Sequence, residues 1–466
     1  MRDKHVKIVA TIGPASHSAK DLLELAEAGV DVFRINLSHA TAEEVEQRCG
    51  WIREAEAKID KPLAIMGDLP GPKIRITPVK PDVVLEKGQK FIFSKDITVG
   101  DEKGCGLNHP EIIDILEIGA IIFIDDGTLK LKVEKKLSDA VEATVLAGGS
   151  LKSKKGFSAE GISLSTTGVS DKDKEGIAMM VKNNADALAV SFVQTRRDMV
   201  AVRTLLPEDS KIMLIAKIET AQGVENAEDI LSVSDGLMVA RGDLGLSVPF
   251  ATVPHIQKQL IELCVKKAKP VITATQMLES MISKPIPTRA EVTDVSNAIL
   301  DRTDAIMLSA ETAEGKFPVE SVETMVKIID ESLQWLKPYE YKEENTTDNS
   351  ISDHVGRIAD QVGATLIIAF THSGITARRI SRHRHKQAII AVSPNAAMMR
   401  GLNFSWGVYP RLIKPTKSFE DMREQARELA MKNGIVDLIK GDKYLIAAGM
   451  PFGQSGNTNM ILVQVV

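Results

Sequence analysis

The sequence predicts an α/β protein: a (β/α)8 TIM barrel with an inserted small β-barrel lid domain and a C-terminal α/β domain. Three observations predict it. Eight short apolar runs alternate with amphipathic segments, the pattern of parallel βα units. Most of these runs start about 25 to 35 residues apart, the length of one such unit. One interval, from Leu63 to Ala187, breaks the rhythm and changes composition. Pattern alone also admits an open doubly wound sheet. A chain of 466 residues has room for about three domains.

In chain order the runs are Lys7–Ile12, Val32–Leu37, Leu63–Met66, Ala187–Phe192, Ile212–Ile218, Gly236–Ala240, Val271–Thr275 and Ala305–Ser309. Helices are expected between them. Ser18 with Asp21, and Thr41 with Glu44, have capping-box spacing, in which hydroxyl and carboxylate satisfy orphan amides reciprocally. Leu22, Leu23, Leu25 and Ala26 then repeat at helical spacing, as do Leu260, Ile261, Cys264 and Val265 between Ile256 and Ala268. The long interval holds β-rich pieces (Val83–Leu85, Phe91–Phe93, Ile121–Ile124, Leu129–Val133) punctuated by glycines. It predicts a β domain inserted at the C-terminal rim, after the third strand. The expected division is barrel 1–73, lid 74–155, barrel 156–338, a polar linker 339–352, and a third domain 353–466. That last domain resumes the alternation with runs at Thr365–Phe370, Ala388–Val392, Tyr444–Ala448 and Met460–Val465, and a helix over Phe419–Asn433.

Composition excludes several functions. The formal charge of −5 offers no basic field for nucleic acid, and 4% aromatics provide few base-stacking platforms. No apolar run approaches the roughly 18 residues of a membrane span. The N-terminal Met-Arg-Asp-Lys-His leads straight into a strand with no secretory h-region, so a cytoplasmic location is expected. Cys49, Cys105 and Cys264 stand far apart, which argues against disulfides or zinc.

In a (β/α)8 barrel the working residues sit at the C-terminal ends of the strands. Reading only those ends yields Arg34, Asn36 and Ser38 from strand two and Asp68 from strand three. Strand five supplies Lys217 and Glu219, strand six Arg241, Gly242 and Asp243, strand seven Thr275, and strand eight Ser309 and Glu311. Glu219 and Asp243 are hard oxygen donors with no neighbouring histidine or cysteine, a set suited to magnesium or manganese. The plainer alternative is a salt bridge, with Lys217 or Arg241 neutralising these acids. Lys217 and Glu219 lie two apart on a strand and so share one face. The planar fork of Arg34 suits a phosphate, and a structural pairing with Asp31 or Asp68 is its alternative. Asn36 and Ser38 are candidates for a monovalent cation or phosphate contacts. His39 lacks metal-ligand spacing and is assigned no chemistry.

These residues carry a resemblance that runs nearly end to end. The segments Lys7–Pro14, Arg34–His39, Asp68–Arg75, Ile215–Glu219, Val239–Gly245, Ala274–Met281, Pro287–Glu291 and Met307–Ala313 are similar to those of the pyruvate kinase family. The resemblance implies phosphoryl transfer from phosphoenolpyruvate to ADP, a homotetramer, and a C-terminal domain with regulatory sites. It implies that Arg34 holds the phosphoryl group and that Glu219 and Asp243 hold the divalent cation. Lys217 would lie against the phosphoryl and enolate oxygens, with Gly242, the Asp243 backbone and Thr275 on the substrate carboxylate. Arg75, Lys155 and Asn36 match nucleotide contacts, and Thr275 and Ser309 are candidates to relay a proton to carbon through water. A metal-dependent aldolase would need neither an ADP site nor a lid carrying Arg75 and Lys155. A dead nucleotide or sugar-phosphate sensor would have lost Lys217 or a metal acid.

Two further expectations come with the resemblance. A potassium site falls at Asn36, Ser38, Asp68 and the Leu69 carbonyl. Potassium-requiring members carry glutamate five residues after that aspartate, where this chain has Lys73. A fixed ammonium can supply the same charge, so potassium is expected to be dispensable. The loop bearing Thr371, Ser373, Gly374 and Thr376 matches the family's sugar-phosphate effector segment. Glycine and hydroxyls before a helix suit a phosphorylated effector, and ordinary helix capping is the alternative.

Overall fold

A computed structural model describes residues 4–38, 40–72, 74–125, 127–159, 169–336, 347–451 and 458–466. All eight apolar runs form strands of one closed parallel barrel. They are Lys7–Thr11, Val32–Asn36, Ala64–Leu69, Ala187–Val190, Met213–Ile218, Gly236–Ala240, Val271–Ala274 and Ala305–Leu308, here numbered strands one to eight. Strand one closes the ring on strand eight, with Lys7 opposite Ala305. Because both faces are covered, the strands are apolar throughout rather than alternating. Val9, Val32, Met66, Met213, Ile215, Met238 and Met307 fill the interior. The two capping boxes form as expected, at Ser18–Asp21 and Thr41–Glu44.

The insert folds between strands three and four. Its six-stranded sheet runs, in spatial order, Phe157–Ala159, Ile121–Ile124, Leu129–Lys136, Ala140–Ala147, Lys90–Ser94 and Gly104–Cys105. Phe91, Phe93 and Phe157 pack edge to face in its core, with centroids 5.2 and 5.5 Å apart. Arg75 and Gly156 form an antiparallel bridge, so the chain enters and leaves the insert side by side. Phe157–Ala159 pairs with this sheet, beyond the boundary drawn at residue 155.

The C-terminal domain is a five-stranded sheet ordered Val408–Leu412, Ala388–Ser393, Ala364–Phe370, Lys443–Ala448 and Met460–Val465, the last antiparallel. One expectation needs correction. A helix, Thr347–Val362, begins inside the stretch read as linker. Ile351, Val355, Ile358, Ala359 and Val362 recur at helical spacing, and Val355 and Ala359 are fully buried.

This domain is wedged into the bottom of the barrel. Phe404 packs among the barrel's interior side chains, and Trp406 joins the core between barrel and helices. Asp304, just before strand eight, accepts from Arg384 Nη2 at 2.8 Å and from the Trp406 amide at 2.9 Å. Arg400 grips Glu56 through two bonds of 2.7 and 2.9 Å. The three cysteines are buried and free, and burial pushes the Cys49 thiol up to about 11. No helix among the described residues is long and apolar enough to cross a membrane.

Candidate active site

The parallel strands deliver their C-terminal residues to one rim. Lys217, next to last in strand five, has its ammonium 3.2 Å from Asp68 Oδ1, 3.0 Å from Glu219 Oε1 and 2.7 Å from Ser191 Oγ. Burial disfavours the ammonium, but Asp68 and Glu219 outweigh it, so Lys217 is held charged well beyond its usual range. Glu219 is pushed above the usual carboxylate range: burial contributes most and Asp243 adds repulsion, against the pull of Lys217. Its other oxygen accepts the Phe192 amide at 2.6 Å. Arg34 donates through Nε to Asp68 at 2.6 Å and through Nη1 to Thr11 Oγ1 at 3.0 Å. Its Nη2 has no partner among the described residues. Asp31, the other conceivable partner, instead pairs with Lys4 and Lys61.

Strands six and seven make the adjoining part of the rim. The Gly242 amide donates to Thr275 Oγ1 at 2.9 Å. A Cβ at Gly242 would rest against Thr275, 3.5 Å from Oγ1 and 3.7 Å from Cβ, so these two residues sit in direct contact. Thr275 and Gln276 both have positive φ, 68° and 55°, a costly conformation for a β-branched residue. Arg241 holds it in place. Its Nη2 donates to both carbonyls, at 2.7 and 3.0 Å, while Nη1 is paired with Asp294 at 2.7 Å. Arg241 therefore does not neutralise Glu219 or Asp243; Lys217 does that for Glu219. Substituting Arg241 by Met is expected to lower kcat by about 10²-fold through loss of Thr275 alignment, and to lower Tm as well, since Asp294 and two carbonyls lose their donor. Steady-state kinetics beside thermal melts check this, and unchanged kcat would reject the positioning role.

At strand eight the Ser309 amide donates to Glu311 Oε2 at 2.7 Å, and the other oxygen of Glu311 takes the Leu278 amide at 3.0 Å. The Ser309 hydroxyl is buried with no partner among the described residues. Sequence reasoning passed over Ser191 and Phe192, although the strand-end rule applied to strand four points at both. Phe192, at φ 54°, presents its amide to Glu219.

Above this rim lies a cleft lined by Glu219, Asp243 and Thr220 below and by Arg75, Asp125, Lys155 and Phe157 of the insert above. Lys155 is 2.9 Å from Asp125, and Arg75 Nη1 donates to the Lys154 carbonyl at 2.9 Å. Asn36 is exposed and accepts the Ser38 amide at 3.0 Å. Lys172 donates to the Ser38 carbonyl. Lys73 and His39 lie outside the described residues.

The donor set fits a hard divalent cation. No group of three His, Cys, Asp or Glu that could cage a metal occurs among the described residues. Two carboxylates with room for water and substrate oxygens is the arrangement magnesium favours.

In the C-terminal domain, Gly374 has φ 85° and donates its amide to Thr371 Oγ1 at 2.9 Å. Thr376 is buried, with its hydroxyl 2.7 Å from that of Thr458. Both threonine hydroxyls are therefore engaged internally, and Ser373 is partly exposed.

Family models for the pyruvate kinase barrel domain and the pyruvate kinase alpha/beta domain match residues 3–322 and 349–464. Curated proteins named pyruvate kinase are similar over essentially the whole chain. That of Geobacillus stearothermophilus is 40% identical, covering 99% of this chain and 80% of its own length. That of Methylorubrum extorquens is 39% identical over 100% and 98%, and that of Lactobacillus delbrueckii subsp. bulgaricus 41% over 99% and 81%. With both family domains matched in order on this barrel and its C-terminal sheet, the chain belongs to the pyruvate kinase family of phosphotransferases.

Proposed function

We propose that this chain transfers the phosphoryl group of phosphoenolpyruvate to ADP, giving ATP and pyruvate, with magnesium or manganese held by Glu219 and Asp243. The observation that carries this reading is the network joining Arg34, Asp68, Lys217 and Glu219 at the strand ends, with Glu219 and Asp243 lining the same cleft as Arg75 and Lys155. Phosphoryl transfer asks for positioning and charge stabilisation more than covalent help. Arg34, fixed by Asp68 and Thr11, presents Nη2 to the phosphoryl oxygens. Lys217 places a permanent charge where the leaving enolate oxygen becomes negative. Gly242, the Asp243 backbone and Thr275 receive the substrate carboxylate, and Arg75, Lys155 and Asn36 receive the nucleotide. The divalent cation, when bound, supplies Lewis-acid compensation for the carboxylate and phosphoryl charge. Thr275 and Ser309 hold hydroxyls from which water can carry a proton to the enolate carbon.

A coupled assay for pyruvate, with and without ADP and magnesium, tests the reading. Pyruvate formation that needs neither would overturn it. Arg75→Ala and Lys155→Ala are expected to raise KM for ADP severalfold more than KM for phosphoenolpyruvate.

Potassium is dispensable in this reading. Lys73 stands where potassium-requiring members carry glutamate. Both Asp68 oxygens already meet cationic groups, and Lys172 reaches the Ser38 carbonyl. A second ammonium near such a site repels potassium by about 4 kcal/mol at 4 Å for an effective dielectric near 20. Rates in tetramethylammonium and potassium at equal ionic strength should agree within about twofold, and Lys73→Glu should introduce a potassium requirement. Large potassium activation of the unmodified enzyme would end this idea.

The family likeness also supports a cytoplasmic homotetramer and a phosphorylated effector at the Thr371–Thr376 loop, which includes the partly exposed Ser373. Calorimetry with sugar phosphates and nucleotides on the Ser373→Ala variant decides the effector, and sedimentation decides the assembly.

A further inference from the structure

Lys217 carries three ammonium protons, and the rim offers it three acceptors: Asp68 Oδ1, Glu219 Oε1 and Ser191 Oγ. The bond to Ser191, at 2.7 Å, is the shortest of the three and the only one to an uncharged group. The two carboxylates keep the ammonium charged. They do not by themselves fix where it points, because an ammonium is a compact charge on a flexible stem. With two anionic acceptors alone, Nζ is drawn into the rim between them. A third acceptor defines its position. A hydroxyl also yields more readily than a carboxylate when an anionic oxygen arrives, so its share of the ammonium is the one a substrate can take up.

Ser191 is itself held in place. It follows strand four directly and is buried, with its Oγ 3.5 Å from Asp68 Oδ1. Gly71, at the entry to the insert, packs closely against it. A Cβ on Gly71 would lie 2.9 Å from Ser191 Cβ and 3.1 Å from the Ser191 carbonyl oxygen. Gly71 is fixed in turn through its amide, 3.0 Å from Oδ1 of the buried Asp173. The next residue, Phe192, takes φ 54°, an uncommon and costly conformation for a bulky side chain. That turn sends its amide to Glu219 Oε2 at 2.6 Å. Two successive residues at the end of strand four thus reach both members of one ion pair: Ser191 accepts from Lys217, and Phe192 donates to Glu219.

We propose that Ser191 is a positioning residue for phosphoryl transfer: its hydroxyl holds the Lys217 ammonium off the Asp68 and Glu219 carboxylates, where the phosphoryl and enolate oxygens arrive. This rests on the reaction proposed above and on the part given there to Lys217. Ser191 touches no reacting atom in this scheme and acts through Lys217 alone. Its loss therefore lowers the rate of the chemical step and leaves the nucleotide, held by Arg75 and Lys155, as before.

The test compares the unmodified full chain with Ser191→Ala and Ser191→Cys. Cysteine nearly keeps the volume of serine, but its sulfur is a weak acceptor. In the coupled pyruvate assay both variants should lose about 10- to 10²-fold in kcat, the scale of a misplaced catalytic group, with KM for ADP within about twofold. Calorimetry with oxalate and magnesium supplies a readout apart from turnover. Oxalate is a planar dianion that mimics the enolate of pyruvate, so its affinity should fall severalfold in both variants while that of ADP holds. Thermal melts should stay within about 2 °C, the size expected for one hydrogen bond in a chain this long. Should Ser191→Ala fail to fold, the nearly isosteric Ser191→Cys carries the comparison alone. Near-normal kcat in Ser191→Ala would overturn the proposal. So would full activity in Ser191→Cys, since packing would then explain the site, or a loss confined to KM for ADP. No pyruvate from the unmodified chain would refute the reaction itself, and the oxalate comparison would still decide whether Ser191 sets Lys217.

Discussion

Replacing Lys217 by Met is expected to reduce phosphoryl transfer at least 10²- to 10³-fold, the usual loss when one donor aimed at developing charge is removed. The fall should lie in kcat, with nucleotide affinity retained, since Arg75 and Lys155 are untouched. The geometry adds a second effect. Lys217 sits among Asp68, Glu219 and Ser191, so the variant leaves buried carboxylates short of a cation. Breaking such a pair costs about 3–5 kcal/mol, and magnesium should recover part of it by occupying the Glu219–Asp243 position. Stopped assays and melts with and without magnesium check both. A variant with near-normal turnover would defeat the assignment. Acid acts in the same direction. Burial works against it, but Arg34 and Lys217 hold the Asp68 carboxyl below its usual range. Its stabilisation is therefore complete above the unfolded value near 4 and fades as pH falls through the lower folded value.

The second large effect belongs to Asp304. Asp304→Ala strips Arg384 of its carboxylate and the Trp406 and Val271 amides of their acceptor. About 3–5 kcal/mol of stability should go with them, lowering Tm by roughly 5 °C or more. Residual activity per folded molecule should remain near normal, because the rim lies at the other end of the strands. Denaturant unfolding followed by Trp406 fluorescence measures the loss. A change below about 1 kcal/mol, the size of a surface pair, would contradict the role.

What could be read in advance follows from burial. Strands one to eight are covered on both faces, so their apolar runs are continuous and stand out. Ala140–Ala147 of the insert was missed because Val141, Ala143 and Val145 alternate with Glu142 and Thr144, a weaker signal in one sequence. The helix at Thr347–Val362 hid behind its polar first turn. At the rim, the strand-end rule brought Arg34, Lys217, Glu219, Asp243 and Thr275 into one set, which the fold places together. It misjudged Arg241, because nothing local announces a partner 53 positions away at Asp294. The backbone bonds of Glu311 were equally invisible, since they depend on loop geometry rather than on residue type.

Phe404 has a consequence for how the molecule comes into being. A ribosome delivers the chain from its N-terminus, and domains generally fold in that order. Strand one waits for strand eight before its edge is paired, and the barrel interior waits nearly a hundred residues more for Phe404 to close it from below. The nascent barrel therefore spends that stretch of synthesis with an open, methionine-rich mouth. The first barrel strands are thus finished by a segment made much later, and barrel and C-terminal domain share one packed interior at that end.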